Sequence, residues 1–295
     1  MGERGGNGEQ RKAPRPPQAP PVPSDIPAFV KVRERPLKTH TLGRGATVFV
    51  CPPAWGIPGE MAVNVLRPHG DLARFFTFDP SGTGESTALR AKEDLSSRGV
   101  ANDVTGMLLR LKVRPAAIFG HSHGGLVALR VALNHPELVR RIVLVSTTAG
   151  DGSQDPWGWR RVLGRPLIVG GAPTRDEVLR TSKAIWAGSL ADPARAGAIF
   201  GALPDKKWLV SVERLAALPK ESNGLDLREK LDHIRAPTLI LQGAKDPIVP
   251  VEAAEVLRQR LVGSELVVFE NSGHFPMLEE PTKFRNVVAE FLARD

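Results

Sequence analysis

Six short, largely apolar runs govern what this chain can fold into: 46–50 (ATVFV), 74–78 (RFFTF), 116–119 (AAIF), 142–145 (IVLV), 238–241 (TLIL) and 266–269 (LVVF). A strand with one face in water alternates apolar and polar residues; these do not. Runs of this kind are strands covered on both faces, which implies a parallel sheet with helices on either side. The segments between them carry helical spacing. Met107, Leu108 and Leu111 share one face of 104–113, the segment 126–133 is apolar nearly all round, and 251–261 and 283–292 are amphipathic. Pro281 stands just before the last of these, where a missing N–H costs nothing. Phe29–Val32 and Lys38–Leu42 predict an opening hairpin. Strands alternating with helices in this way predict a doubly wound α/β fold.

Two stretches break the rhythm. Residues 1–27 hold seven of the 26 prolines with Gly, Gln and mixed charges, and too little apolar content to bury, so they are expected to be a disordered tail. Residues 150–235 lack a convincing buried strand and are too long for a plain connection. They are expected to form a helical lid inserted into a core made of 28–149 and 236–295. Four of the five tryptophans, Trp157, Trp159, Trp186 and Trp208, fall in that insertion.

Composition narrows the function classes. Forty Lys+Arg against 32 Asp+Glu give a net charge of +8, but the basic residues are scattered, without a dense block interleaved with aromatics, so a solvated surface is expected and no nucleic-acid partner. No run of about 18 apolar residues suggests a membrane span, and the N-terminus lacks the apolar region of a secretory signal. The single cysteine, Cys51, excludes an internal disulfide and a cysteine-cluster metal site. Cytoplasmic residence is the expectation. Tyrosine is absent, so no mechanism can use a phenol.

Chemistry concentrates in Gly120-His121-Ser122-His123-Gly124-Gly125, between the AAIF strand and the buried helix. G-x-S-x-G gains its meaning from that setting: a tight strand-to-helix turn holds the serine Oγ above the sheet, and the helix N-terminus offers N–H groups to a developing oxyanion. A serine nucleophile needs a base, and the base an orienting acid. Asp246 follows the TLIL strand and His274 the LVVF strand, in loops at strand C-termini where the sites of open α/β sheets collect. Among seven histidines, His121 and His123 flank the serine on a turn that should point them away from its Oγ; His135 ends a helix; His40, His69 and His233 lie outside these loops. Asp151, after the IVLV strand, is the rival acid.

On these residues the chain resembles the α/β-hydrolase superfamily. The resemblance implies Ser122 as nucleophile, Asp246 as acid and His274 as base, with no metal or organic cofactor. It also implies an oxyanion hole of two backbone N–H groups, those of His123 and Ile57. Ile57 lies in Trp55-Gly56-Ile57-Pro58-Gly59, which is similar to the family's His-Gly-x-Pro-Gly loop but has Trp55 for histidine. Asp79-Pro80-Ser81-Gly82-Thr83-Gly84-Glu85-Ser86 is similar to the family's D-x-R-G-x-G-x-S, with Ser81 for arginine, so the hydrogen bonding of that arginine is lost or rerouted. The expected activity is cleavage of an ester, or of an amide, through an acyl-enzyme. The tryptophans of the insertion, with Trp55, point to a small apolar or aromatic substrate. A proline-iminopeptidase-like aminopeptidase is the alternative, for which Asp155, Asp176, Glu177 and Glu213 could supply carboxylates. A ligand-binding member without catalysis is the second alternative.

Overall fold

The computed structural model describes residues 26–150, 174–201, 211–214 and 225–294. Eight strands make one sheet: β1 (Phe29–Val32), β2 (Arg35–Leu42), β3 (Thr47–Val50), β4 (Arg74–Phe78), β5 (Ala116–His121), β6 (Val139–Val145), β7 (Thr238–Gly243) and β8 (Glu265–Phe269). Their order is β1-β2-β4-β3-β5-β6-β7-β8. The β1–β2 and β2–β4 pairings are antiparallel; the rest are parallel. The α-helices among the described residues include α1 (Gly59–Asn64), α2 (Ser97–Leu111), α3 (His123–Asn134), α4 (Arg175–Gly188), α5 (Ala196–Phe200), α6 (Val251–Arg260), α7 (Pro276–Glu279) and α8 (Pro281–Ala293).

The alternation of side chains along each strand divides the core. Phe49 of β3 and Ile118 of β5 join the cluster containing Val104 of α2, Leu126 of α3 and Leu257 of α6. Val48, Val50 and Phe119 join the cluster containing Met61 of α1 and Phe284 and Val288 of α8. Both faces of the sheet are therefore covered, as the apolar runs require. The edge strand β8 departs from this, being exposed or half-buried except at Phe269.

Most elements extend beyond their apolar signals. β2 begins at Arg35, three residues early, because Arg35 is itself buried in an ionic cluster and Pro36 faces Lys31 on the edge strand β1, where a missing N–H is tolerated. Arg33 and Glu34 between the strands both have positive φ, 47° and 62°, the requirement of a two-residue hairpin turn. α2 begins seven residues early, at Ser97, with Ser96 Oγ accepting from the Gly99 N–H at 3.4 Å. Its first turns hold Asn102 and a buried Asp103 instead of a run of apolar residues. The short helices α1 and α7 carry no apolar periodicity long enough to read.

Between β6 and β7 the regular elements among the described residues are helices, α4 and α5 among them, apart from an isolated bridge of Gly150 to Asp226. The expected tail and Trp157, Trp159, Trp208, Asp151 and Asp155 lie outside the described residues, except that the tail's last two positions, Ile26 and Pro27, are described.

Candidate active site

Ser122 sits between β5 and α3 with φ 53° and ψ −124°, a conformation costly to any residue with a Cβ. Its surroundings fix it there. The Ser122 N–H donates to Val145 O at 2.9 Å, and its carbonyl accepts from Gly125 N at 2.9 Å and Thr147 Oγ1 at 2.6 Å. The turn is too tight for side chains at its flanks: a Cβ on Gly120 would lie 2.5 Å from Gly125 Cα, and one on Gly124 would overlap the Cys51 carbonyl oxygen.

Asp246 follows β7 with its side chain wholly buried. Oδ1 accepts from the N–H groups of Ile248 at 2.8 Å and Val249 at 3.0 Å. Oδ2 accepts from Gln242 Nε2 at 3.2 Å and lies 2.8 Å from His274 Nδ1. Burial works against the carboxylate charge, but the His274 ring and the two backbone N–H groups outweigh it and hold the carboxyl below its ordinary pKa.

His274 follows β8, and its loop is anchored on both sides. Its N–H donates to Ser189 O at 2.8 Å, at the end of α4. The buried Glu279 accepts from Gly273 N at 2.9 Å and Phe275 N at 3.2 Å through Oε1, and from Ala191 N at 2.7 Å through Oε2. One carboxylate thus ties the peptides flanking His274 to the inserted region. Sequence reasoning missed Glu279; its only trace was an acidic residue directly after the apolar stretch Phe275–Leu278, next to an equally acidic Glu280.

His121 lines the same cavity as Ser122, its ring centroid is 4.7 Å from that of His274, and its Nε2 lies 2.8 Å from the His274 carbonyl oxygen. Burial pushes its pKa down to about 3, so the ring is neutral and Nε2–H donates. His123 is fully buried, and its Nδ1 accepts from the Ala54 N–H at 3.3 Å.

Ser122 and His274 open on a cavity walled by Trp55, Ile57, Met61, Val65, Ile185, Trp186 and Phe275. Trp186 packs against Phe200 at 5.3 Å and Phe275 at 5.0 Å between centroids. Cys51 also lines the wall; burial raises its thiol pKa, so it stays protonated. Among the described residues no carboxylate lines this cavity. Glu213 accepts from Ser211 Oγ at 2.9 Å, Glu177 closes a capping box with Thr174, and Asp176 is exposed. No group of three or more His, Cys, Asp or Glu fit for a metal occurs among the described residues, and no helix there is long and apolar enough to cross a membrane.

The Trp55–Gly59 loop leads from β3 into α1, with Gly56 at φ 109° and Ile57 buried on the cavity wall. Asp79 accepts from Glu60 N at 3.3 Å and Glu85 N at 3.0 Å and lies 2.9 Å from His40 Nε2. The hydrogen bonding at Ser81 is rerouted through two other arginines. Arg35 Nη1 donates to Ser81 Oγ at 2.8 Å and pairs with Glu93, while its Nη2 pairs with Asp103; Arg214 Nε donates to Ser81 O at 2.7 Å.

Comparison with known proteins adds a family. A family model described as the alpha/beta hydrolase fold matches residues 56–281. The chain is 30% identical over 240 residues to the AB hydrolase superfamily protein YisY of Bacillus subtilis, covering 79% of this chain and 85% of that one. It is 28% identical over 262 residues to the pimeloyl-[acyl-carrier protein] methyl ester esterase of Nitrosospira multiformis, covering 86% and 97%. Among solved structures, the enol-lactonase from Burkholderia xenovorans superposes with a TM-score of 0.72 at 20% identity, over 90% of this chain and all of the other.

Proposed function

As a chain that belongs to the alpha/beta hydrolase family, it is, we propose, a serine esterase acting on a small ester with an apolar or aromatic group, with Ser122 as nucleophile, His274 as base and Asp246 as the orienting acid. The observation that carries the reading is that a strained Ser122 and a His274 whose Nδ1 lies 2.8 Å from Asp246 Oδ2 line one apolar cavity. With Nδ1–H donated to Asp246, the lone pair of His274 is on Nε2, the tautomer a general base requires. His274 Nε2 takes the Ser122 proton as Oγ attacks the ester carbonyl. The N–H groups of Ile57 and His123 hold the oxyanion. His274 then gives the proton to the leaving alkoxide, and an acyl-Ser122 remains. Water, deprotonated by the same Nε2, attacks the acyl carbon, and Ser122 leaves reprotonated.

The esterase named among the relatives supports the ester over the peptide bond. So does the wall of the cavity, because an aminopeptidase needs a carboxylate to hold the substrate ammonium and the described lining has none. The partner is a small-molecule substrate, with neither nucleic acid nor membrane required, and a chain whose one cysteine is free and buried fits the cytoplasm. The test is labelling with a fluorophosphonate, followed by turnover of p-nitrophenyl esters of increasing acyl length and of aminoacyl amides. Labelling lost in Ser122→Ala, with esters preferred to amides, is expected. A folded protein that neither labels nor turns over any ester would be a binding protein on this scaffold.

A further inference from the structure

The peptide that joins Gly56 to Ile57 carries the second oxyanion donor, and that peptide is held by the inserted region. Its carbonyl, Gly56 O, accepts from the N–H of Ser211 at 3.0 Å. The bond is trans, so C=O and N–H point in opposite directions in one plane. Anchoring the oxygen on Ser211 therefore aims the Ile57 N–H. The fit is close: Gly56 has φ 109°, and a Cβ there would meet Ser211 O at 2.7 Å.

Three residues on, Arg214 secures the start of the same loop. Its side chain is 1% exposed. Nε donates to Ser81 O at 2.7 Å, and Nη1 donates to Ala54 O at 3.2 Å and to Leu95 O at 3.4 Å, with Glu93 Oε1 3.7 Å from Nη2. The Ala54 residue is consequently gripped at both ends, because its N–H donates to the imidazole of His123, the residue whose own N–H is the first oxyanion donor. A buried guanidinium with several carbonyl partners is a rigid fork that a lysine cannot replace.

We infer that Ser211 and Arg214 are positioning residues of the oxyanion hole: the inserted region, reaching the position where the family motif has arginine and this chain has Ser81, sets the direction of the Ile57 N–H. The hole is complete only while the segment 211–214 is seated on the Ala54–Ile57 loop. This rests on the serine-esterase reading.

Two variants of the full chain test it. Ser211→Pro removes the single N–H at issue; Arg214→Lys keeps a positive charge beside Glu93 but cannot span the carbonyls. With p-nitrophenyl acetate, kcat is expected to fall about 10²-fold in Ser211→Pro, the loss typical of one oxyanion donor, and by about tenfold or more in Arg214→Lys. KM should stay within about threefold, because the ground-state ester does not yet carry the charge. Affinity for a trifluoromethyl ketone, whose serine adduct bears an oxyanion, should fall by the same factor as kcat. A role in packing alone would lower the melting temperature and leave the ketone affinity relative to KM unchanged, which overturns the inference. Arg214→Lys, the milder change, decides if Ser211→Pro does not fold. A parent that takes up no fluorophosphonate sinks the esterase reading itself; a parent labelled at Ser122, with both variants unchanged in kcat, overturns the clamp alone.

Discussion

Replacing Asp246 by asparagine changes one atom and should nearly abolish turnover, for a reason visible in its four hydrogen-bond partners. Oδ1 accepts two backbone N–H groups, from Ile248 and Val249, so the asparagine carbonyl oxygen is drawn to that side. Its NH₂ then faces Gln242 Nε2 and His274 Nδ1, where the carboxylate accepted. Two donors cannot face each other, so His274 is driven to the tautomer that accepts at Nδ1 and carries its proton on Nε2. That ring has no lone pair to offer Ser122. The expected loss is about 10⁴ in kcat, about 5.4 kcal/mol at 1.36 kcal/mol per decade. Stability should suffer far less. Gln242 keeps Val249 O at 2.8 Å and Gly243 O at 3.2 Å, so the cost is that of one misplaced donor, about 1–3 kcal/mol. The assay is steady-state hydrolysis of the best p-nitrophenyl ester at pH 7 to 8, with thermal denaturation of the same samples. Activity within tenfold of the parent in a folded Asp246→Asn would show that the carboxylate does not set the His274 tautomer.

Ser122→Ala should keep the fold and lose on the order of 10⁴ to 10⁶ in kcat, together with fluorophosphonate labelling; equal labelling of both proteins would remove Ser122 from the mechanism. Trp186→Ala should lower kcat/KM for aryl and long-acyl esters by nearly two decades if the ring covers about 100 Å² of substrate at roughly 25 cal/mol per Å², while acetyl esters change less than about threefold; a uniform change across substrates would mean that Trp186 only packs on Phe200 and Phe275. His121 has a folded pKa depressed to about 3 against about 6.5 unfolded, so its contribution to stability is complete above pH 6.5 and fades as pH falls toward 3. His121→Gln should therefore flatten the melting temperature between pH 6.5 and 4; an unchanged slope would mean that the ring protonates without penalty. Asp246, also depressed, acts lower: its contribution is present above about pH 3.9 and lost below, so the acid limb of the Asp246→Asn variant should be shallower than the parent's.

The alternation of apolar runs with helical spacing made the sheet and its α/β class legible, because burial on both faces leaves its mark in composition alone. Where polar residues are buried, that mark disappears. The start of β2 at Arg35 and of α2 around Asp103 went unread because ion pairing, not apolarity, accounts for their burial. Ser122, Asp246 and His274 stand out in the sequence because the strand-to-loop grammar gives each an address, and the structure brings Ser122 and His274 to one cavity and Asp246 to hydrogen-bonding distance of His274. Glu279, Ser211 and Arg214 had no such address. Each acts through backbone atoms, those of the nearby His274 loop and distant Ala191 for Glu279 and of distant loops for Ser211 and Arg214, and a partner that is a peptide group has no residue type to recognise. The nearest sign was negative: a serine at position 81 where the resemblance called for arginine.

The φ of 53° at Ser122 has a consequence for how such a chain ages in evolution. A glycine would adopt that turn without the strain a Cβ imposes, which is worth about 1–3 kcal/mol, and the bonds that hold the turn are backbone bonds to Val145, Gly125 and Thr147 that a glycine keeps. The position thus selects against the one side chain that the proposed function uses. As long as turnover matters to the cell, selection holds the serine in place. In a descendant recruited for binding alone, position 122 should be among the first to drift, toward glycine, with the scaffold growing firmer as its chemistry is lost.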